Sequence, residues 1–291
     1  MNPGRPLAAV VLVTLLLGLP AAAAESPKVI WHPQRPQVGD VAWVEVRGVP
    51  DASAVEGSLG DRTLVFFPYA GGQVAVTGID LEVKPGPQAW RLAVLEPGRE
   101  PRRLSGRLVI QRRDYPVQRL TLPETMVDLD PETERRAVSE GERLKILYQT
   151  ITPERLWRGR FARPVAGHDP PTGFGARRII NGKPRAPHSG ADYAAERGTP
   201  VVAANSGRVA LVADFFFPGR LVALDHGLGL YTLYFHLDSV AVADGEMVDR
   251  GQRLGTVGAT GRATGPHLHF GAQLAGSRVD PAALFSLDFR D

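Results

Sequence analysis

The sequence predicts a mainly β protein in which two β-rich domains are joined by a helix. The chain of 291 residues contains 32 glycines and 25 prolines, enough to end many short strands. Apolar runs bounded by Gly or Pro recur in both halves, and one segment between them has the composition of a helix. We therefore expect an N-terminal β-sandwich, a connecting helix and a C-terminal antiparallel β domain.

The first residues of the chain indicate export. Residues 1–24 contain one basic residue, an apolar stretch from Leu7 to Leu19 and an Ala-Ala-Ala run before Glu25. This order is typical of a secretory signal peptide, and Pro20 interrupts the stretch before it reaches the ~20 apolar residues of a spanning helix. The sequence therefore predicts an exported protein of the periplasm or cell envelope, with no stable membrane span after signal cleavage.

Residues 25–115 are predicted to form an immunoglobulin-like β-sandwich domain. Alternating apolar and polar residues occur in VAWVEVRG, QAWRLAVLEPG and GRLVIQR, with Gly and Pro between these runs. Several strands without intervening helices favour two packed antiparallel sheets. His32 has no chemical partner in this region, and we expect it to be structural or exposed.

Residues 116–160 are predicted to be a helical linker. Asp130 can cap a helix, Pro131 suits the first helical position, and Glu132 and Glu134 lie near the positive end of the helix dipole. The predicted helix runs from Pro131 to about Tyr148.

Charge and cysteine content exclude several kinds of function. The net charge is +3, and the sequence has no Lys/Arg block interleaved with aromatic residues, so we expect no nucleic-acid partner. The chain has no cysteine, which excludes disulfides and thiolate ligands. Any bound metal must therefore be held by His, Asp or Glu.

Residues 161–291 are predicted to form the antiparallel β domain, and histidines are concentrated there. In GPHLHF the side chains of His267 and His269 are two positions apart, so a strand presents both on one face. His188 and Asp192 in HSGAD are also an even number of positions apart, and the intervening Ser-Gly disfavours a helix.

A third motif, TLYFHLD, places Thr232, Tyr234 and His236 on one face of a predicted strand. We expect His236 to face the same cleft as the other histidines, and Tyr234 to contact substrate there. His226 and His168 fall outside these motifs; His226, before a Gly turn, is expected to be structural.

The five candidates together are more than one catalytic zinc ion needs, because such an ion takes three protein ligands and keeps an open position. They are His188, Asp192, His236, His267 and His269. The remaining two would serve acid–base chemistry, which histidine can perform near neutral pH. The residue types alone do not divide the set between the two tasks.

These three motifs, with GATGRATGP before the last, resemble those of the LytM/lysostaphin family of zinc metallopeptidases, which cleave peptide bonds in bacterial peptidoglycan. The resemblance extends from about Phe161 to Phe285. It implies that His188, Asp192 and His269 hold one Zn²⁺ per chain. It further implies that His236 and His267 are second-sphere catalytic histidines, and we favour His267 as general base, with the other ring stabilising the oxyanion.

The resemblance implies a zinc endopeptidase that hydrolyses stem peptides or crosslinks of peptidoglycan. A regulatory envelope protein is a further candidate partner. An alternative is a non-catalytic or latent wall-binding activator of another hydrolase, in which residues 114–160 cover the groove. A second alternative is a zinc enzyme of the double-stranded β-helix type, where His-x-His also occurs. That fold would not account for His188 and Asp192.

Overall fold

The computed structural model describes residues 26–50, 52–167 and 173–289. The predicted signal peptide and His168 lie outside these residues. Most regular elements are strands, so the predicted mainly β class is confirmed. Within the described residues, no helix is long and apolar enough to cross a membrane.

The N-terminal part is a sandwich of two four-stranded antiparallel sheets. Its strands are β1 (Lys28–His32), β2 (Val41–Arg47), β3 (Ala54–Leu59), β4 (Arg62–Leu64), β5 (Phe66–Tyr69), β6 (Gly72–Gly78), β7 (Gly86–Leu95) and β8 (Arg102–Ile110). The sheets have the strand orders β1-β2-β6-β5 and β4-β3-β7-β8. Buried residues from both sheets, among them Val44 and Leu92, form one apolar core between them.

The connecting segment contains strand β9 (Val117–Leu120), a short 3₁₀ helix (Glu124–Met126), helix α1 (Pro131–Gln149) and strand β10 (Gly159–Arg160). Helix α1 begins where the sequence predicted, because the Asp130 side chain accepts the N–H groups of Glu132 and Thr133. Strand β9 was not predicted. It pairs in parallel with β11 (Arg177–Ile180), so this part of the linker belongs to a sheet of the C-terminal region.

The C-terminal region is built on a nine-stranded sheet. The remaining strands are β12 (Lys183–Pro184), β13 (Gly190–Tyr193), β14 (Pro200–Val202), β15 (Gly207–Phe215), β16 (Gly219–Asp225), β17 (Leu230–Val240), β18 (Met247–Val248), β19 (Arg253–Val257), β20 (Leu268–Leu274), β21 (Ser277–Val279) and β22 (Asp288–Phe289). The order β13-β20-β17-β16-β15-β18 runs through the middle of the sheet, with β21 on β20 and the β14–β19 pair on β17. A second 3₁₀ helix spans Pro281–Ser286, and β22 pairs with β10.

The two regions share a core. Val74 and Val76 of the sandwich belong to the same buried cluster as Leu274 and Val279 of the C-terminal sheet. At the edge of this contact, the Arg278 guanidinium donates to Asp80 Oδ1 at 2.9 Å. The sandwich thus packs on the C-terminal sheet through β6. The connecting segment contacts the C-terminal region separately, through the pairing of β9 with β11.

Candidate metal centre and groove

The register of two strands brings Asp192 and His269 together. Strands β13 and β20 are antiparallel, and Asp192 lies directly opposite His269. Residues directly opposite each other in such a pair project on the same face of the sheet. As a result, His269 Nδ1 lies 2.9 Å from Asp192 Oδ1.

His188 joins this pair from the segment just before β13. Its Nε2 atom lies 2.9 Å from His269 Nδ1 and 3.0 Å from Asp192 Oδ1. The three atoms form a triangle whose edges of 2.9–3.0 Å are close to the ~3.3 Å edge expected of a tetrahedral zinc site with ~2.0 Å bonds. We call His188, Asp192 and His269 the ligand triad.

The surroundings of the triad orient its rings for metal binding. The Nδ1–H group of His188 donates to the Gly173 carbonyl at 2.9 Å, which leaves the lone pair of Nε2 directed at the other two residues. A Cβ atom at Gly173 would lie 2.8 Å from His188 Nδ1, and one at Gly190 would lie 2.6 Å from His269 Nε2. Both positions therefore require glycine for the rings to keep their places.

The charges of the triad also suit a divalent metal. Burial alone would raise the pKa of Asp192, but hydrogen bonds and charge interactions with His188 and His269 outweigh it and hold that pKa well below its ordinary value. Burial lowers the pKa of His269, which favours the neutral ring. A carboxylate and imidazoles are the donor set that zinc accepts in the absence of cysteine.

His236 reaches the groove by a route that the alternation pattern did not predict. In the sheet, Phe235 rather than His236 is opposite His269, and the Phe235 ring stacks on the His269 ring at 5.3 Å between centroids. His236 has a φ of 63°, and the register of β17 against β16 shifts at this point. This bulge turns His236 out of the regular alternation, so both residues line the groove.

Tyr234 lies in the core and not in the groove, where the sequence analysis expected it. Its side chain is fully buried, opposite Phe270 in the core, and its hydroxyl accepts the Ala204 N–H at 2.8 Å. Tyr234 is absent from the groove walls, so the predicted contact with substrate is wrong.

His236 and His267 face each other beside the triad, with 4.7 Å between ring centroids. The Nδ1 atom of His236 lies 2.8 Å from the Thr260 carbonyl oxygen, and that of His267 lies 2.8 Å from the Gly265 carbonyl oxygen. Because a carbonyl only accepts, each Nδ1 carries a proton, and each neutral ring keeps its lone pair on Nε2. His267 Nε2 is 4.0 Å from Asp192 Oδ1.

Burial is the main reason that the pKa of His236 falls to about 3, and repulsion from His269 and His267 adds to it. At neutral pH the His236 ring is therefore uncharged, with its proton on Nδ1 and its lone pair on Nε2.

The groove has walls that the sequence did not reveal. Gln118, Leu120 and Leu122 of the connecting segment line it together with Arg178, Phe217, Arg262 and Thr264. The alternation in QRLTL is the one sequence signal that could have revealed β9. Its place on β11 depends on a contact about 60 positions away in the chain, which no local pattern reports.

Two histidines outside the motifs, His32 and His226, lie within the described residues, and neither lines the groove. His226 is fully buried, and its Nδ1–H group donates to the Ser206 carbonyl at 2.7 Å. Its Nε2 atom lies 2.7 Å from the Thr232 hydroxyl, so the predicted structural role fits this position. His32 stacks on Trp43 in the sandwich at 3.7 Å between ring centroids.

Comparison with known proteins places this site in a family. The model of Peptidase family M23 matches residues 186–281, which include the triad and both further histidines. A solved structure from Pseudomonas aeruginosa, described as a candidate peptidase M23, is 32% identical to this chain with a TM-score of 0.67, and the match covers 86% of this chain and 95% of that one. The chain belongs to peptidase family M23. The resemblance to LytM/lysostaphin-type peptidases is thereby confirmed.

Curated M23 relatives match over a shorter region. The peptidoglycan DD-endopeptidase ShyB of Vibrio cholerae is 40% identical over 94 residues, which are 32% of this chain and 22% of ShyB. The DD-carboxypeptidase/endopeptidase Mpg of Neisseria meningitidis is 42% identical over 97 residues, 33% of this chain and 22% of Mpg. The matched part of this chain thus spans about a fifth of these relatives.

Proposed function

We propose that this M23 protein is a zinc-dependent endopeptidase that hydrolyses peptide bonds in the stem peptides or crosslinks of bacterial peptidoglycan. The observation that carries the proposal is the ligand triad, three donor atoms within 2.9–3.0 Å of one another, beside two imidazoles that face the same groove. The DD-endopeptidase names of its relatives support peptidoglycan as the substrate.

We propose that the triad holds one zinc ion per chain. Bound there, zinc would supply Lewis acidity, which activates water and polarises the carbonyl of the scissile amide. Asp192 presents Oδ1 to the two histidines, whereas its Oδ2 lies 3.9 Å from Arg178 Nη2. The carboxylate is thus oriented from both sides.

His267 is the proposed general base. Its Nε2 lies next to the triad, 4.0 Å from Asp192 Oδ1, and its side chain is 19% exposed, so a water molecule can reach it. After it accepts the proton of the attacking water, the protonated ring donates that proton to the leaving amine.

His236 has a different proposed role. Because its pKa is lowered to about 3 and its Nδ1–H is used by Thr260, its Nε2 accepts a hydrogen bond and orients the attacking water. His236 thus positions the nucleophile, and His267 moves the proton.

The remaining predictions concern organisation and location. We propose a signal peptide over residues 1–24, an immunoglobulin-like accessory domain over residues 25–115, a helical linker over residues 116–160 and the peptidase domain over residues 161–291. Export would bring the enzyme to its substrate in the periplasm or cell envelope. Linker residues in the groove wall support a role for this segment in access to the groove. We also propose a regulatory envelope protein as a partner.

The direct test is digestion of purified peptidoglycan by the mature protein, with mass spectrometry of the released muropeptides. We expect crosslinked dimers to be converted to monomers, a chelator to stop the reaction and added Zn²⁺ to restore it. An unchanged muropeptide profile with the zinc-loaded protein would contradict the proposed activity. Solubilisation only in the presence of another hydrolase would instead support the activator alternative.

A further inference from the structure

Two guanidinium groups line the same groove as the catalytic histidines. Arg178 comes from β11, and Arg262 comes from the loop that precedes His267. The only carboxylate among the described lining residues is that of Asp192, which belongs to the ligand triad. The groove therefore has positive charge that its own acidic residue does not balance.

Of the two arginines, Arg262 has less negative charge near its guanidinium group. Its side chain is half-buried and has no ion pair with a described carboxylate, whereas Arg178 Nη2 lies 3.9 Å from Asp192 Oδ2. Elsewhere, partly buried arginines pair with acids: Arg278 contacts Asp80 at 2.9 Å. Burial first, and then repulsion from Arg178 and Arg185, lower the pKa of Arg262. An anion bound at this position would offset both the loss of solvation and the repulsion between the arginines.

The side chain of Arg262 is held in place. Its guanidinium carbon lies 4.1 Å from the centroid of the Phe217 ring, and its Nη1 donates a hydrogen bond to the Met126 carbonyl at 3.4 Å. These contacts restrict the side chain and leave most of its five N–H donors free for a planar acceptor.

The backbone of Arg262 is tied to the catalytic histidines. Its N–H donates to the Phe217 carbonyl at 3.0 Å, and Thr260, two positions earlier, supplies the carbonyl that orients His236. The backbones are close here, since a Cβ atom at Gly261 would lie 2.3 Å from Gly219 N. The cation therefore lies at a fixed separation from the reacting groups.

We infer that Arg262, assisted by Arg178, binds a carboxylate of the substrate peptide close to the scissile bond and so selects acidic stem peptides over neutral ones. The inference rests on the proposed peptidase function, to which it adds a specificity-determining residue. A guanidinium suits this task because it forms two parallel charge-assisted hydrogen bonds with a carboxylate.

The test compares two ligands on zinc-loaded protein. One is a crosslinked stem-peptide dimer with free carboxylates, and the other is the same dimer after conversion of its carboxylates to carboxamides. Calorimetric binding is measured with the His236→Ala variant, which prevents turnover, and hydrolysis of both dimers is measured with the protein that has His236. Arg262→Gln, Arg262→Lys and Arg177→Gln are compared in both backgrounds. Arg177 is the matched control because it adjoins Arg178 in β11 but is exposed and outside the groove walls.

We expect the free-carboxylate dimer to bind roughly 10- to 100-fold more tightly than the carboxamide, the range of a charge-assisted hydrogen-bonded pair. Arg262→Gln should reduce this ratio to within about threefold, Arg262→Lys should keep part of it, and Arg177→Gln should leave it unchanged.

Two outcomes would overturn the inference: equal binding of the two dimers to the starting protein, or a ratio that Arg262→Gln leaves intact. Hydrolysis without carboxylate preference would overturn the inference while supporting the peptidase function. Selective binding that depends on Arg262, with no hydrolysis by the protein that has His236, would support the inference and contradict the peptidase function.

Discussion

His226 and His236 lie at opposite ends of the same region of sheet, one just before β17 and one near its end, and they share most of their properties. Both are buried, with 0% and 8% of their surface exposed, and each directs Nδ1–H to a backbone carbonyl. The pKa of each is lowered mainly by burial, to about 4 for His226 and about 3 for His236.

The two histidines differ in the surroundings of the second ring nitrogen, Nε2. Nε2 of His226 meets the Thr232 hydroxyl at 2.7 Å inside the core, whereas His236 lines the groove and its Nε2 has no hydrogen bond to a described residue. Burial and a lowered pKa therefore do not separate a structural histidine from a chemical one. The two kinds of histidine are distinguished by whether Nε2 is hydrogen-bonded inside the core or open to the groove.

Among variants that test this difference between the two histidines, His236→Ala is expected to have the largest effect, a loss of kcat. Loss of a group that positions the nucleophile should lower kcat about 100- to 10,000-fold, while zinc content and melting temperature change little. Steady-state hydrolysis of crosslinked dimers and metal analysis on the same preparation check this. A variant that keeps wild-type kcat would remove His236 from the mechanism.

His226→Gln should show the opposite pattern. At pH 7.5 we expect the free energy of unfolding to fall by about 1–3 kcal/mol, because buried partners lose a well-placed hydrogen bond, while the folded variant keeps its zinc and its kcat. Denaturant unfolding and steady-state kinetics measure the two quantities. A large loss of kcat in this variant would contradict its structural role.

The same variant gives a pH-dependent prediction. Because the folded-state pKa of His226 is about 4, below its ordinary value of 6.5, its neutral ring contributes full stability above about pH 6.5 and loses it as pH falls toward 4. The loss is at most about 3 kcal/mol. The unfolding free energy of His226→Gln should therefore fall less over this range than that of the wild-type protein. Equal pH slopes would show that His226 is not the titrating group.

A smaller effect is expected from Phe235→Leu. The Phe235 ring stacks on the ligand His269, so its removal should loosen that ring and weaken zinc affinity about 10-fold, in the range seen for residues that support metal ligands. Competition with a chromophoric zinc chelator measures the change. Phe216→Leu is a matched control, because Phe216 contacts Phe217 at 4.9 Å between centroids and is not part of the groove wall. Equal affinities of the two variants would contradict the supporting role of Phe235.

Local rules predicted the features that depend on regular geometry. The cap and first residue of α1 follow from Asp130-Pro131. The alternation in HLHF correctly predicts that Leu268 and Phe270 are buried on the face of the strand opposite to the two histidines. The histidine motifs also singled out the three side chains that the fold brings together, because pairing of β13 with β20 needs no irregularity.

Local rules failed where the backbone leaves its regular path or where a contact is distant in sequence. The alternation that grouped His236 with Tyr234 assumes a regular strand, and a non-glycine residue with φ of 63° carries no signal in its sequence. Similarly, Arg262 looks like an ordinary loop arginine until the fold places it above Phe217. The missing information in both cases is tertiary.

The central claim is that the ligand triad, without His236, holds a single zinc ion. Its most direct test is zinc stoichiometry by mass spectrometry on gel-filtered wild-type protein, Asp192→Asn and His236→Ala. We predict one zinc per chain in the wild-type protein and in His236→Ala, and almost none in Asp192→Asn. Zinc retained by Asp192→Asn, or lost from His236→Ala, would contradict the account.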